Sequence, residues 1–256
     1  MATPNIDTVR ALASKVSNWG RFGPDDEKGT LNLLQPAHVV AAAGLVKQGR
    51  TISMALPFDD AGPQTGGLGR FNPIHLMIRD GADAIAGTAI RDFYGGVDKH
   101  FRGTDDIIIM PLQSGTQWDA LGHVVFEDVI YNGYSADQVS SKGAMKGAVT
   151  QACNSMVGRG VLLDVARANE VDWLEQGYVI NADDLDRAAK MGGVEVGPGD
   201  HVFVRTGAIT QARARDDWGD YAGGPAAGLG LGSVEWIAER EVVAMATDTG
   251  GFEVRP

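Results

Sequence analysis

Gly160-Val-Leu-Leu-Asp-Val-Ala166 and Asp200-His-Val-Phe-Val-Arg-Thr206 are two short apolar runs, the second opened by the turn Gly197-Pro-Gly-Asp200. Runs of this length, rich in β-branched residues and bounded by Gly and Pro, predict strands. Between them, Asn181-Ala-Asp-Asp184 starts a helix expected to reach about Met191. Asparagine caps well, and Asp184 falls in the first turn, where a carboxylate meets the positive end of the helix dipole. Another helix is expected over 232–240 with Ser233 at its cap, then a closing strand over 242–247. Strands and helices that alternate in this way argue for an α/β fold.

Working back toward the N-terminus, Pro36 suits a first helical position, and Val39, Val40, Ala43, Leu45 and Val46 supply an apolar face. A helix is therefore expected over 36–47. Strands are expected over 51–57, 73–79 and 106–112, the last a buried one because of its run Ile107-Ile-Ile-Met-Pro-Leu112. A helix is expected within 135–157, although Gly143 and Gly147 weigh against it. Asn18-Trp-Gly-Arg-Phe-Gly-Pro-Asp-Asp-Glu27 is rich in turn formers and aromatics. With no internal repeat or low-complexity linker, residues 1–256 are expected to form one domain: a mixed β-sheet core flanked by helices. The strand-rich first half argues against a simple doubly wound sheet.

Composition narrows the function. In 256 residues, 44% are apolar and 21% charged, ordinary for a globular chain. Lys plus Arg is 22 and Asp plus Glu is 33, so the net charge is 22 − 33 = −11. Such a surface repels phosphate backbones and anionic lipid, which argues against nucleic-acid and membrane partners. Cys153 is the only cysteine, which excludes an intramolecular disulfide and a thiolate-rich zinc site; it is expected to be a small buried hydrophobe. Met1-Ala-Thr-Pro-Asn-Ile-Asp lacks the basic start and apolar core of a signal peptide, and no apolar run approaches the roughly 20 residues of a membrane span. A cytoplasmic protein is expected. No amphipathic closing element follows Phe252-Glu-Val-Arg-Pro256, so a C-terminally shortened chain is a further expectation.

The chemistry is concentrated in Gln113-Ser-Gly-Thr-Gln117-Trp118-Asp119-Ala-Leu-Gly-His123, directly after the apolar run. Active sites in α/β proteins gather where strands end. If a helical turn began near Asp119, Asp119 and His123 would share a face. On an extended stretch, Gln113, Gln117 and Asp119 would share one, with a turn bringing His123 back. Two amides and one carboxylate form an oxygen-donor set that suits hard cations better than zinc. An unliganded His123 beside such a cation would serve as general base. The structural alternative is that Gln and Asp only satisfy loop backbone.

This stretch resembles the signature of the metal-dependent cyclase family, His-x-Gly-Thr-His-x-Asp-x-x-x-His, a family that includes bacterial kynurenine formamidases and isatin hydrolases. Gly115-Thr116, Asp119 and His123 match in register, and Gln113 and Gln117 stand where the family's two metal-binding histidines would be. The opening at Asn18, Gly160-Val-Leu-Leu-Asp, Pro198-Gly-Asp-His-Val-Phe-Val-Arg-Thr-Gly207 and Ala246-Thr-Asp-Thr249 resemble the family as well. The Gln/Gln variant resembles the subgroup containing trans-dienelactone hydrolase. The resemblance implies a swivelling β/α/β fold, with Gln113, Gln117 and Asp119 as ligands of a divalent ion (Mn or Zn) and His123 as catalytic acid/base. The activity it implies is hydrolysis of an arylformamide, a cyclic amide or a lactone by a metal-activated water. It also implies a homodimer or higher homo-oligomer acting on a small molecule. Family members usually add a further His and Glu; here no histidine follows His201, and Asp248 and Glu253 are the candidates to substitute. The alternatives are a metal-free small-molecule binding module and an inactive shortened member of the family.

Other residues carry weaker expectations. Trp118 is either a wall of a substrate pocket or a core aromatic bracing the loop. His75 is expected to be packed with one hydrogen bond, His38 and His100 to lie on the surface, and His201 to be structural. Arg79 and Arg205 end apolar strands and could grip a carboxylate, but are expected to be surface ion-pair formers. Asp248 is expected either to serve the site or to cap a loop. Gly223-Gly-Pro-Ala-Ala-Gly-Leu-Gly-Leu-Gly232 lacks dinucleotide-binding spacing and a P-loop lysine, and is expected to be a mobile loop or lid. No Gly-x-Ser-x-Gly elbow is present.

Overall fold

The chain is mixed α/β, and its strands and helices alternate from residue 160 onward as the sequence predicts. The structure, a computed structural model, describes residues 5–87 and 102–256. In chain order the elements are α1 (Ile6–Val16), α2 (Pro36–Gly44), β1 (Ile74–Arg79), α3 (Gly81–Ala86), β2 (Asp105–Ile109), β3 (Val139–Ser140) and β4 (Gly143–Ala144). They continue with β5 (Gly160–Asp164), α4 (Val165–Ala168), β6 (Val179–Ile180), α5 (Ala182–Gly192), β7 (His201–Arg205), α6 (Ala208–Arg215), β8 (Gly228–Leu229), α7 (Val234–Glu239) and β9 (Ala244–Thr247). They fall into two compact units, Met1–Ile52 with Trp118–Pro256, and Ser53–Gln117.

The larger unit is built on a parallel sheet in the order β5-β7-β9, in register from Gly160 opposite His201 and His201 opposite Ala244. Alternation along the strands sends Val161, Leu163, Val202 and Val204 to a buried face. Leu162, on the other face of β5, is 57% exposed. α5 packs on β5, and Leu185 and Ala188 join the strand side chains, Ile180, Leu229, Trp236 and Val242 in one apolar core. α5 begins where the sequence predicts because its N-terminus is held twice over. Asp184, buried, accepts from the Asn181 backbone N–H at 2.9 Å and from the Tyr178 hydroxyl at 2.8 Å. The helix ends at Gly193, whose φ of +61° favours glycine.

Several expectations fail in this unit for local reasons. The segment expected as a helix within 135–157 is instead the β3–β4 hairpin followed by a short 3-10 turn, Val149–Ala152. Gly143 and Gly147 hold φ of +106° and +65°, values no right-handed helix accommodates. The glycine-rich segment is no lid: β8 pairs in parallel with β6, and Gly228 lies so close to the Glu253 backbone that a Cβ would sit 2.4 Å from its carbonyl carbon. Cys153 is exposed rather than buried, since the segment around it is an open turn. The helix over 36–47 stops at Gly44, with no side chain buried along it.

In the smaller unit β1 pairs antiparallel with β2, Ile74 opposite Ile109 and Leu76 opposite Ile107. The strand expected to be buried is exposed at every residue, with Ile107, Ile108 and Ile109 at 44%, 47% and 46%. A two-stranded ribbon has no second layer of its own to bury either face. Residues 51–57 form no strand; the Leu56 N–H is satisfied by the Thr116 hydroxyl instead of by a ladder. Among the described residues no helix is long and apolar enough to cross a membrane.

Candidate active site

The eleven-residue motif crosses the boundary of the two units, Gln113 to Gln117 in the smaller and Trp118 to His123 in the larger. In the smaller unit Gln113 lies in the 3-10 turn Leu112–Ser114. Gln64 braces that turn by donating from its amide to the Ser114 carbonyl at 3.1 Å. The Ser114 hydroxyl is 1% exposed and makes no hydrogen bond. Gly115 is required here, because a Cβ would meet the Phe58 ring at 2.8 Å.

In the larger unit no helix begins at Asp119. The backbone is irregular to Ala120 and then turns, with the His123 N–H donating to the Ala120 carbonyl at 2.9 Å. This turn brings His123 Nε2 to 3.9 Å from Asp119 Oδ2, with both side chains open to solvent at 37% and 49% exposure. Trp118 is 42% exposed, so part of its ring is free to meet a planar molecule.

As donors, Gln113, Gln117 and Asp119 offer three oxygens and a single negative charge. Among the described residues no group of three His, Cys, Asp or Glu is placed to hold a metal ion. By their chemistry alone, two amides and one carboxylate are donors of the kind a hard cation such as Mn²⁺ takes, and they lack the imidazole and thiolate that zinc favours. Asp248 does not supplement it. Its carboxylate accepts from the Thr206 N–H at 2.6 Å, the Thr206 hydroxyl at 2.7 Å and the Gly207 N–H at 2.8 Å, so it caps the loop after β7. Glu253 contributes backbone, in a bridge to Leu229.

The remaining candidates have structural work. Arg205 donates to Asp164 at 2.8 Å and to Thr210 and the Asp172 carbonyl at 3.0 Å each, while Arg79 pairs with Asp105. His75 makes the expected single hydrogen bond, to Asp106 at 2.8 Å, but is exposed on the open ribbon rather than packed. His38 caps α2, its Nδ1 accepting from the Gln35 N–H at 3.0 Å. His100 lies outside the described residues. His201 is buried in the sheet with no hydrogen bond of good geometry at either ring nitrogen, and burial pushes its pKa down against the weaker pulls of the Arg159 backbone and Asp200.

Sequence reasoning missed the acidic network beneath the turn. Asp26 accepts from the Gly29 N–H at 2.9 Å, the Tyr131 hydroxyl at 2.9 Å and the Asn32 amide at 2.6 Å. Burial opposes its ionisation, but these bonds outweigh it and hold the carboxyl below its ordinary value. The only signal was Asp25-Asp26-Glu27 within a turn-rich segment, which by itself predicts no more than a solvated loop.

The cyclase family model matches residues 35–254. The chain belongs to the cyclase family. A crystal structure of a novel cyclase is 35% identical to it, with a TM-score of 0.83 over 94% of this chain and 79% of that one. Isatin hydrolase A from Labrenzia aggregata bound to benzyl benzoate is 18% identical, with a TM-score of 0.50 over 80% of this chain and 70% of that one. An isatin hydrolase bound to the product analogue thioisatinate is 15% identical, with a TM-score of 0.52 over 79% and 68%. These two show that this chain shares their fold. No curated protein matches the chain.

Proposed function

We propose that this protein is a metal-dependent hydrolase of an activated amide or ester: an arylformamide, a cyclic amide or a lactone. The observation that carries the proposal is the imidazole–carboxylate pair His123–Asp119, set on a turn inside the family-matched region. His123 takes the proton of the attacking water and returns it to the departing nitrogen or oxygen. Gln113, Gln117 and Asp119 would hold the ion, and Trp118 would lie against the planar part of the substrate. When bound, a divalent ion supplies carbonyl polarisation and a more acidic water. The names of the two isatin hydrolases are in keeping with hydrolysis as the reaction class.

The test is metal content by mass spectrometry on protein purified without chelators, beside a Gln117→Ala, Asp119→Ala double variant, followed by a panel of formamides, cyclic amides and lactones. Stoichiometric metal in the parent and its loss in the variant are expected. His123→Ala should keep the metal while kcat/KM falls at least about 100-fold, the scale of general acid–base catalysis. A parent that takes up neither Mn²⁺ nor Zn²⁺ and hydrolyses nothing would sink the proposal in favour of a metal-free binding module, a reading the single charge of the donor set also allows.

We also propose that the protein acts as a homo-oligomer on a small molecule, without nucleic acid or membrane. The open apolar ribbon of β1 and β2 supports the assembly, and the net charge of −11 the exclusions.

A further inference from the structure

The turn that carries His123 is fastened to Gly147 by a close backbone approach. The Gly122 N–H donates to the Gly147 carbonyl at 2.9 Å. Both glycines are needed for that distance: a Cβ on Gly147, whose φ is +65°, would sit 2.8 Å from the Gly122 nitrogen. A Cβ on Gly122 would sit 3.2 Å from the Gly147 carbonyl oxygen. Gly147 is in turn held by Glu27. One carboxylate oxygen accepts from the Gly147 N–H at 2.9 Å, and the other from Lys146 Nζ at 2.8 Å. The Glu27 side chain is 13% exposed, so this charge is spent in a largely enclosed place. The Lys146 bond, with the Gly147 N–H behind it, outweighs burial and keeps Glu27 ionised below the ordinary range. Gly29, held by Asp26, also lies against Leu121: a Cβ on Gly29 would meet Leu121 Cδ1 at 3.2 Å.

We propose that Glu27 is a positioning residue that sets the direction of the His123 imidazole, acting through Gly147 and Gly122. The proposal rests on the role given to His123 above. Glu27 fixes Gly147, Gly147 fixes Gly122, and His123 is the next residue in the chain. An error of about 1 Å in a proton-transfer group costs on the order of 100-fold in rate.

The experiment compares Glu27→Ala, Glu27→Gln and, as a control for lost stability alone, Leu163→Ala in the core of the larger unit. Three readouts are taken: kcat and KM for the best substrate of the panel, the urea midpoint, and the His123 imidazole carbon–proton resonance at one fixed alkaline pH. Glu27→Ala should lower kcat about 10- to 100-fold with KM nearly unchanged, and should move the His123 resonance. Glu27→Gln keeps an oxygen for the Gly147 N–H and should recover most of kcat and the parent resonance. Leu163→Ala should lower the urea midpoint and leave both the resonance and kcat in place. An unmoved resonance in Glu27→Ala, or an equal kcat loss in Leu163→Ala, overturns the proposal. If the parent hydrolyses nothing, the role of His123 fails separately; the resonance then decides the mechanical link by itself, a shift supporting it and its absence refuting it.

Discussion

His201 shows how a single side chain can tie stability to pH. Its ring is buried beside Gly158, where a Cβ would approach Cε1 to 2.9 Å, and neither nitrogen makes a hydrogen bond of good geometry. The charged neighbours are Asp200, and Arg159 on the adjoining segment, themselves 3.7 Å apart. Burial lowers the folded-state pKa below the unfolded value of about 6.5. The unfolded chain therefore binds the proton first. The neutral ring's contribution is complete above about pH 6.5 and is lost as pH falls toward the depressed folded value. Urea unfolding at pH 7.5 and pH 5 should show the parent losing stability on acidification, and His201→Leu should lose distinctly less; equal losses would refute the assignment. The Asp26 and Glu27 contributions do not confuse this window. Their lowered pKa values make them stabilising above the ordinary carboxylate range, and that stability is lost only at more acidic pH. At this scale the sequence showed which residues carry chemistry, because Asp119 and His123 are close in the chain. It could not show that Asp248 is consumed by Thr206 and Gly207, 42 and 41 positions away.

Among the elements, α5 was legible because its start signals are local: Asn181, an acidic first turn, and Gly193 beyond its end. Asp184 gives that start a tertiary role as well, since the Tyr178 hydroxyl and Arg187 share its carboxylate. Asp184→Ala should therefore cost about 1–3 kcal/mol, more than an exposed cap, because the Tyr178 hydroxyl is left with only the long 3.5 Å contact to Asn169. A urea midpoint within error of the parent would show the network to be idle. The β5, β7 and β9 strands were legible for the same local reason, apolar runs between turns. The segment 135–157 was not: its composition permits a helix, and the left-handed conformations of Gly143 and of Gly147, the latter held by contacts with Gly122 and Glu27, exclude one. The β8 strand was hidden because glycine-rich sequence carries no strand signal, and its ladder depends on β6, far away in the chain.

For the whole molecule, the ribbon of β1 and β2 is the feature that calls for a partner surface. Ile74, Leu76, Ile78, Ile107 and Ile109 are each 44–61% exposed, more contiguous apolar area than a solitary two-stranded ribbon sustains in water. Light scattering should give a particle of at least twice the chain mass, and the cross-strand pair change Leu76→Asp, Ile107→Asp should dissociate it. A monomeric parent would dismiss the assembly. By itself the sequence determined the α/β class, the strands β5, β7 and β9 with α5 and α7 between them, the family signature and the eleven-residue motif. Each rests on periodicity, turn chemistry or spacing within a few residues. Only the tertiary structure decided that the apolar run before the motif is exposed, that Gly228 and Leu229 of the glycine-rich segment pair as a strand, and that Glu27 lies under the His123 turn. Those facts depend on which distant backbone satisfies which hydrogen bond and which surface finds a covering layer, and neither is encoded in any short stretch of chain.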